Sequence, residues 1–355
     1  MEAAKRKKGS KRIKIESLTL PTVFTASHSE PQAEAWLTAS SDAITDSITR
    51  ATLRRQIRGR WANVSRYTPA TYLQELRDYA MLYPELLRLD TIGRSHEGRP
   101  LAMLTMGSGP HPVYVLGAIH AREWLTTTHV MKTIEHLVGA HESGDRMGDF
   151  DVREMLDSCT IYFTPMINPD GVDIAQRGAA GRPAEFLSIP VAKSKVGYPS
   201  WKANGRGVDL NRNFAPGWEN NNTSPDGPCS EQYKGEAPES EPETRAMIAL
   251  MDSVKPEAIV SFHTQGEVLY MSQPDARARR IANAVEEYTG FVPQPIDPPY
   301  GSMQDDVDRR LGCLYVNVEL CPAIGPFPYP DKLFFQRVWP RADMVVPIVA
   351  AGLYE

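Results

Sequence analysis

The hydrophobic pattern of residues 67–355 alternates between short apolar runs and helical stripes. The apolar runs have the length and the β-branched content of buried strands, and they cover Leu101–Met106, Val113–Ile119, Thr160–Ile167, Ala258–Phe262 and Leu314–Leu320. Apolar residues at three- and four-residue steps predict helices over Glu123–Gly139, Ser240–Val254 and Asp275–Glu287. This alternation predicts an α/β fold in which helices flank a mixed, mostly parallel twisted sheet.

Prolines limit the helices at both ends of this alternating region. The pair Thr68-Pro69 is typical of a helix start, and an apolar helical stripe follows it. The segment Lys332–Leu353 predicts a final helix, which Pro340 and Pro347 should kink or divide. We therefore predict one domain over residues 66–355.

Residues 1–65 differ in composition from the rest of the chain. Seven basic residues cluster between Lys5 and Lys14, and a Ser/Thr-rich stretch with few large apolar residues follows. This composition predicts a basic, partly disordered extension, although the same charges could attach the chain to an anionic polymer or membrane surface. Isoleucine and leucine residues in helical phase predict a short amphipathic helix within Asp42–Trp61.

Composition and charge narrow the functional classes. The chain has 355 residues, 41% of them hydrophobic, which is enough for a domain with a full core. Its formal net charge of −5 argues neither for nucleic acid nor for a membrane, and we predict no nucleic-acid partner. No apolar run approaches the ~20 residues that span a bilayer, and the first 25 residues lack the apolar segment of a signal peptide. We therefore predict no membrane insertion and a cytoplasmic location, with an extracellular location as the alternative.

The four cysteines show no C-x-x-C spacing and therefore no sign of a structural metal site. Three of them lie in or beside apolar runs, which predicts buried free thiols. A pair between Cys313 and Cys321 is the alternative.

The most informative polar residues interrupt the pattern at the ends of predicted strands. His120, Arg122 and Glu123 lie between a strand and a helix, where open α/β sheets place their ligand crevices. His263 directly follows another strand. His120, Glu123 and His263 together form a His₂Glu set, which leaves a fourth coordination position for water, as in a catalytic zinc site. The alternative is a surface histidine and a glutamate that favours the helix dipole.

Glu319 is the single charged residue of the apolar run Leu314–Leu320. A carboxylate in a buried strand must be paired, linked to a metal or functional. Beside a metal site it could accept a proton from water and then act as an acid. A salt bridge to an arginine is the alternative.

The segment Gly207–Phe214 contains a second group of polar residues. Arg212 lies between Asn211 and Asn213, and its planar charged group is suited to binding a carboxylate through two hydrogen bonds. Asp209 could then support a histidine ligand. Asn-Arg pairs also occur in many turns, so this segment alone is a weak signal.

In combination, these residues resemble the zinc metallocarboxypeptidase family. The resemblance covers about residues 67–355, and it consists of motifs that occur in the order of the family, namely His120–Trp124, Asn168–Gly171, Asn211-Arg212, His263 and Glu319. It implies one Zn²⁺ bound by His120, Glu123 and His263. It also implies that Glu319 is the catalytic base and that Asn211 and Arg212 bind the free carboxylate of a peptide substrate.

Further segments resemble one bacterial branch of this family, the γ-D-glutamyl-meso-diaminopimelate peptidases, which cut cell-wall peptides. They are Trp201–Asn204, Arg206–Asn211, Tyr233–Gly235, Ser240–Glu243 and His263–Glu267. This resemblance implies a muropeptide substrate. The alternatives are an ordinary metallocarboxypeptidase that removes C-terminal residues and an inactive zinc-holding binding module. The presence of both Glu319 and Arg212 disfavours the inactive module, and the sequence makes no prediction of oligomeric state.

Two positions depart from the digestive members of the family. Lys202 occupies the place of an arginine that polarises the scissile carbonyl, so this role could fall to Lys202, Arg206 or Arg122. Tyr300 is the nearest counterpart of the family's capping tyrosine. For a diaminopimelate side chain, Glu267 is the candidate partner of the ammonium group, and Lys202 or Arg206 is the candidate partner of the second carboxylate.

Overall fold

A central eight-stranded sheet organises the protein in a computed structural model, which describes residues 47–178, 180, 197–228, 231–295, 300–325 and 327–355. Its strands are β1 (Leu87–Arg94), β2 (Pro100–Met106), β3 (His111–Leu116), β6 (Cys159–Thr164), β7 (Ala258–Thr264), β8 (Val268–Ser272), β9 (Val292–Pro293) and β10 (Leu314–Leu320), and a separate hairpin is formed by β4 (Arg146–Met147) and β5 (Phe150–Asp151). The order across the sheet is β1-β2-β6-β3-β7-β10-β8-β9. The inner strands β6, β3, β7 and β10 run parallel, whereas β1, β2 and β8 join through antiparallel pairings.

Helices flank this sheet. They are α1 (Ser47–Trp61), α2 (Pro69–Leu82), α3 (Leu125–Ser143), α4 (Val152–Ser158), α5 (Pro169–Arg177), α6 (Pro242–Val254), α7 (Ala276–Thr289), α8 (Met303–Asp306), α9 (Trp339–Ala342) and α10 (Val345–Ala351). A buried core cluster joins strand residues such as Tyr114 and Ile259 to Met247 and Met251 of α6. The predicted α/β architecture, with a mixed and mostly parallel sheet, is confirmed.

The predicted strands and helices are present, with differences at their ends. The strand predicted over Val113–Ile119 ends at Leu116, because the next residues turn towards the following helix. These residues are apolar because the turn itself is buried. The apolar run in the sequence is therefore longer than the strand. Strands β1 and β8 were not predicted, since several of their residues are exposed or half-buried and the apolar pattern is weaker.

The predicted roles of the prolines and of the Thr68-Pro69 helix start are confirmed. The Thr68 hydroxyl accepts a hydrogen bond from the Thr71 backbone N–H (3.2 Å) at the start of α2. The C-terminal segment is divided into a π-helical turn at Phe334–Val338, then α9 and then α10. Pro340 lies in the first turn of α9, where its missing N–H has no cost.

Helix α1 belongs in part to the compact unit formed by Ala51–Glu355. Its residues Leu53, Ile57 and Trp61 are buried. The Trp61 carbonyl accepts a hydrogen bond from Lys132 Nζ (2.5 Å), which ties the end of α1 to α3. The compact unit therefore includes residues 51–65, which the sequence assigned to the N-terminal extension. The basic run of that extension lies outside the described residues.

Two of the three described cysteines, Cys159 and Cys321, are buried, whereas Cys313 is half-buried. Cys159, Cys313 and Cys321 are free thiols, so Cys313 and Cys321 do not pair, and Cys229 lies outside the described residues. Within the described ranges, none of the helices has the length and apolar character needed to span a bilayer.

Candidate active site

Three buried side chains converge at the carboxyl ends of β3 and β7. His120 Nδ1 lies 2.9 Å from Glu123 Oε1, His263 Nδ1 lies 3.2 Å from Glu123 Oε2, and the two Nδ1 atoms are 3.3 Å apart. All the potential ligand atoms lie within 4.8 Å of one another. Tetrahedral zinc with Zn–N bonds of ~2.0–2.1 Å places two nitrogens roughly 3.3 Å apart. The trio therefore fits one zinc ion.

The loop that presents His120 and Glu123 is held by backbone hydrogen bonds. Ala118 has a positive φ of 48°, a conformation that non-glycine residues adopt at a cost. Its N–H donates to the Thr126 hydroxyl (2.7 Å), and its carbonyl accepts from the Asn168 N–H (3.1 Å). The chain then enters a single 3₁₀ turn at Ala121–Glu123, which brings Glu123 to the same side as His120.

Asn168 connects this loop to the neighbouring polar segment. Its side-chain amide donates to the Ile119 carbonyl (3.1 Å) and to the Ala203 carbonyl (3.2 Å). Its Oδ1 accepts from the Gly171 N–H (2.9 Å). A Cβ atom at Gly171 would lie 2.3 Å from the Ala203 carbonyl oxygen, so only glycine fits there. The sequence motif Asn168–Gly171 therefore fixes the relative positions of His120 and Lys202.

Asp209 and Lys202 form an ion pair on the Nε2 side of the His120 ring. The Asp209 carboxylate lies 3.3 Å from His120 Nε2 through Oδ1 and 2.7 Å from Lys202 Nζ through Oδ2. Although burial opposes ionisation, Lys202 and then His120 hold the pKa of Asp209 well below its usual range. A carboxylate on the outer nitrogen fixes the ring orientation and leaves Nδ1 free for a metal.

Neighbouring ionisable groups also shift the pKa values within the trio of His120, Glu123 and His263. Despite complete burial, the neighbouring His120 and His263 lower the pKa of the Glu123 carboxyl. The pKa of His263 is raised, because its hydrogen bond to Glu123 outweighs the effect of burial. Glu123 therefore stays ionised, and its carboxylate favours positive charge on the two histidine rings beside it.

Glu319 reaches this centre from the adjacent strand. In the parallel pairing of β10 with β7, Glu319 is the Cα partner of His263, so the two side chains project from neighbouring positions of the sheet. Burial raises the pKa of the Glu319 carboxyl to about 7, against the lowering effect of His263. A carboxyl with this pKa can both accept and return a proton near neutral pH.

The trio and Glu319 open into one cavity of about 310 Å³. The predicted residues that line it, besides His120, Glu123, His263 and Glu319, are Arg122, Lys202, Asn211, Arg212 and Tyr300. Other lining residues are Thr264, Gln265, Val268, Tyr270, Ser302, Gln304, Asp305, Tyr315, Asn317 and Phe327. Most of these side chains are polar, so the cavity is suited to a polar ligand.

Two arginines of the cavity are held by aromatic rings. The Arg212 guanidinium lies 4.3 Å from the centre of the Tyr300 ring, and its Nη1 donates to the Asn211 carbonyl (2.7 Å). The Arg122 guanidinium lies 3.9 Å from the centre of the Phe327 ring and pairs with Glu231. Stacking fixes each guanidinium plane while leaving edge N–H groups for a ligand.

The structure does not bring Arg206 and Glu267 into the cavity. Arg206 pairs with Glu241 (3.4 Å) behind the Lys202 segment. Glu267 lies in the turn between β7 and β8 and pairs with Arg341 (3.2 Å) near the C-terminal helices. Arg206 and Glu267 belong to recognisable sequence motifs, but the local backbone directs their side chains away from the cavity. The expected contacts of these two residues with a substrate therefore have no support in the fold.

Sequence reasoning missed several lining residues, of which Asn317, Asp305 and Gln304 are the most polar. For Asn317 a signal was present, since alternate residues of a strand share a face and Asn317 precedes Glu319 by two positions. Asp305 and Gln304 follow a loop, and no periodic pattern predicts their direction.

Comparison with known proteins agrees with this geometry. A family model described as zinc carboxypeptidase, Peptidase_M14, matches residues 72–293. The chain is similar to gamma-D-glutamyl-L-diamino acid endopeptidase 1 from Lysinibacillus sphaericus, with 29% identity over 298 residues, or 79% of this chain and 73% of that protein. It is 30% identical to carboxypeptidase B from Astacus astacus over 172 residues, or 46% of this chain and 48% of that protein.

A solved structure shows the same fold. Carboxypeptidase A from Helicoverpa armigera superposes with a TM-score of 0.61 at 18% identity, covering 92% of this chain and 81% of that one. The range matched by the family model contains the metal trio and Arg212, whereas Glu319 lies beyond it. The position of Glu319 in the site therefore rests on the strand register.

Proposed function

Because the chain belongs to the zinc carboxypeptidase family, we propose that it hydrolyses the bond that precedes a residue with a free carboxylate, and that this bond is a γ-D-glutamyl bond to a diamino acid. The family makes it a zinc metallopeptidase. The substrate is the part that we propose. The relative named gamma-D-glutamyl-L-diamino acid endopeptidase 1 supports this choice.

The proposal rests on one observation, which is that three kinds of functional group line the same cavity. A trio that fits zinc, the half-buried Glu319 carboxyl and a stacked guanidinium at Arg212 all line the same space. Each function alone occurs in other settings, but hydrolysis beside a free carboxylate needs all three together.

Zinc fits the donor set of His120, Glu123 and His263, which we assign as its ligands. When bound there, zinc would polarise the scissile carbonyl and lower the pKa of the attacking water. Asp209 holds His120 in the tautomer that leaves Nδ1 unprotonated, because its carboxylate faces Nε2.

Glu319 is the residue that moves the proton. It accepts a proton from the attacking water and delivers it to the amine nitrogen of the leaving residue, so one carboxyl serves as base and then as acid. The negative charge that develops on the carbonyl oxygen is stabilised by the cations that line the cavity, Lys202 and Arg122.

Arg212 binds the free carboxylate of the leaving residue. Tyr300 stacks on the guanidinium, so its role in this geometry is to orient Arg212. The Asn211 side chain accepts a hydrogen bond from the Met303 backbone N–H (2.9 Å) and thereby joins the Arg212 turn to the opposite wall of the cavity.

A comparison of substrates by the zinc-loaded protein tests the proposal. We expect release of diaminopimelate from γ-D-glutamyl-meso-diaminopimelate peptides, and slower release of C-terminal residues from α-linked peptides. The Glu319→Gln variant, prepared in parallel, controls for contaminating peptidases. Faster cleavage of the α-linked peptides would establish an ordinary carboxypeptidase, which the similarity to carboxypeptidase B favours. Cleavage of neither would indicate an inactive metal-binding module.

A further inference from the structure

The metal ligand Glu123 is followed directly by a tryptophan that has no part in the chemistry above. Trp124 is 3% exposed and lies between the single 3₁₀ turn that carries Glu123 and the first turn of α3. Glu123 and Trp124 are adjacent, so a displacement of the Trp124 backbone displaces the metal ligand as well. The position of Glu123 relative to His263 of β7 therefore depends on how Trp124 is held.

The Trp124 side chain is anchored by a carboxylate from a distant segment. Its indole Nε1 donates a hydrogen bond to Asp331 Oδ1 (2.9 Å), and the two residues are 207 positions apart in the chain. Asp331 begins a 3₁₀ turn that ends at Leu333. Hydrogen bonds to a charged acceptor are stronger than those between neutral groups. This contact therefore fixes the indole ring in one orientation.

Arg66 contacts both members of this hydrogen bond. Its guanidinium carbon lies 5.1 Å from the centre of the Trp124 ring, which is within the range of a cation–π interaction. Its Nε lies 3.7 Å from Asp331 Oδ2, the carboxylate oxygen that is not bonded to the indole. Arg66 therefore neutralises the carboxylate and covers the ring at the same time.

The backbone on both sides of Arg66 is held by hydrogen bonds from the catalytic domain. The Ser65 carbonyl accepts from the Thr128 hydroxyl (3.3 Å) in the first turn of α3, and the Tyr67 carbonyl accepts from Gln176 Nε2 (2.8 Å). These contacts place Arg66 beside the start of α3. The range matched by the family model begins at residue 72, so Arg66 lies outside it.

We propose that Arg66 and Asp331 position the metal ligand Glu123 through Trp124. Both are positioning residues, since they lie outside the lining of the cavity. Without them the turn would occupy several arrangements, and zinc would bind only the fraction in which Glu123 faces the two histidines. The apparent zinc affinity falls by that fraction. This role requires zinc at the trio and is independent of the peptide that is hydrolysed.

Zinc release from the loaded full-length protein into an excess of chelator tests this role without a substrate. Asp331→Ala removes both contacts and should accelerate zinc release and weaken zinc binding by about 10-fold. Trp124→Phe removes the indole N–H and should act in the same direction. Arg66→Met removes a half-exposed charge, so a change of about 3-fold is expected. Arg66→Lys should restore most of the parental behaviour.

Arg60→Met is a matched control for the arginine variant. The side chains of Arg60 and Arg66 are 48% and 47% exposed, and they lie 3.6 and 3.7 Å from their carboxylate partners. The partner of Arg60 is Asp78, which accepts a hydrogen bond from Trp61 Nε1 (3.0 Å). Because this second pair is linked to α1 instead of the metal loop, Arg60→Met should leave zinc release unchanged.

Denaturant unfolding of the metal-free proteins separates positioning from general stability. Positioning predicts that the two arginine variants unfold alike without zinc, whereas only Arg66→Met releases zinc faster. The effects of Arg66→Met and Asp331→Ala should not add in the double variant. Parental zinc release from both single variants, or equal acceleration by Arg60→Met, would overturn the proposal. If Asp331→Ala does not fold, Arg66→Met and Arg66→Lys carry the test. A failure of the proposed substrate would leave these zinc measurements unaffected.

Discussion

Replacing Lys202 by methionine removes the cation that neutralises Asp209 behind the metal site. The two charged groups are 2.7 Å apart, and their side chains are 8% and 0% exposed. Methionine has a similar length and no charge, so the change isolates the loss of the ammonium group. Asp209 would then keep two contacts through Oδ1, with His120 Nε2 at 3.3 Å and with the Asn211 backbone N–H at 3.0 Å.

The expected cost follows from this burial. Removal of one partner of a buried ion pair costs about 3–5 kcal/mol, because an uncompensated charge remains. The remaining contact with His120 reduces this cost, so we expect a loss of about 3 kcal/mol in the free energy of unfolding. Since Asp209 orients His120, zinc affinity should also fall by about 10- to 100-fold.

Denaturant unfolding and zinc titration against a competing chelator measure the two effects. Lys202→Arg keeps the charge and should retain most of the stability. In the double variant Lys202→Met with Asp209→Asn, the losses should not add, with a coupling free energy of about 1–3 kcal/mol. Additive losses, or a Lys202→Met variant with parental stability and zinc affinity, would refute the role of Lys202 as the partner of Asp209.

Three further predictions concern the metal, the base and a remote buried acid. His263→Ala should lower the zinc content from one ion per chain towards none, and metal analysis showing unchanged stoichiometry would exclude His263 as a ligand. Glu319→Gln should keep zinc and the parental melting temperature while kcat falls by ~10²–10⁴-fold, and a parental rate would exclude Glu319 as the base. Burial raises the pKa of Glu75 from 4.5 to about 8, so its stabilising protonated form is lost as the pH rises through 8. Glu75→Gln should therefore raise the melting temperature relative to the parent at pH 9 and have little effect at pH 4, and an equal effect at both would contradict this pKa.

Several features of the site could be predicted because their signals are local. His120 and Glu123 are three residues apart, so one turn brings them together. His263 follows an apolar strand, and Glu319 interrupts another, and parallel strands align their carboxyl ends at the same edge of a sheet. The structure places all four around one cavity. Asn317 could have been predicted in the same way, because it lies two residues before Glu319 and therefore on the same face of the strand.

Residues in loops behaved differently, since the direction of a loop side chain depends on packing between distant segments. Glu267 lies four positions after His263, yet it pairs with Arg341, 74 residues further along the chain. Asp305 belongs to none of the recognised motifs, yet the turn at Tyr300–Ser302 directs it into the cavity. Lys202 was expected to face a substrate, and the structure also pairs it with Asp209.

The sequence alone determined the fold class, the family and the set of groups able to bind zinc and transfer a proton. These follow from periodic burial and from short motifs whose geometry is set by one turn or one strand. Only the tertiary structure decided which charges face the cavity and which neutralise one another behind it. The physical reason is that electrostatic partners are chosen by distance in space, and the loops that carry Asp209, Glu267 and Asp305 are positioned by contacts between segments far apart in the chain.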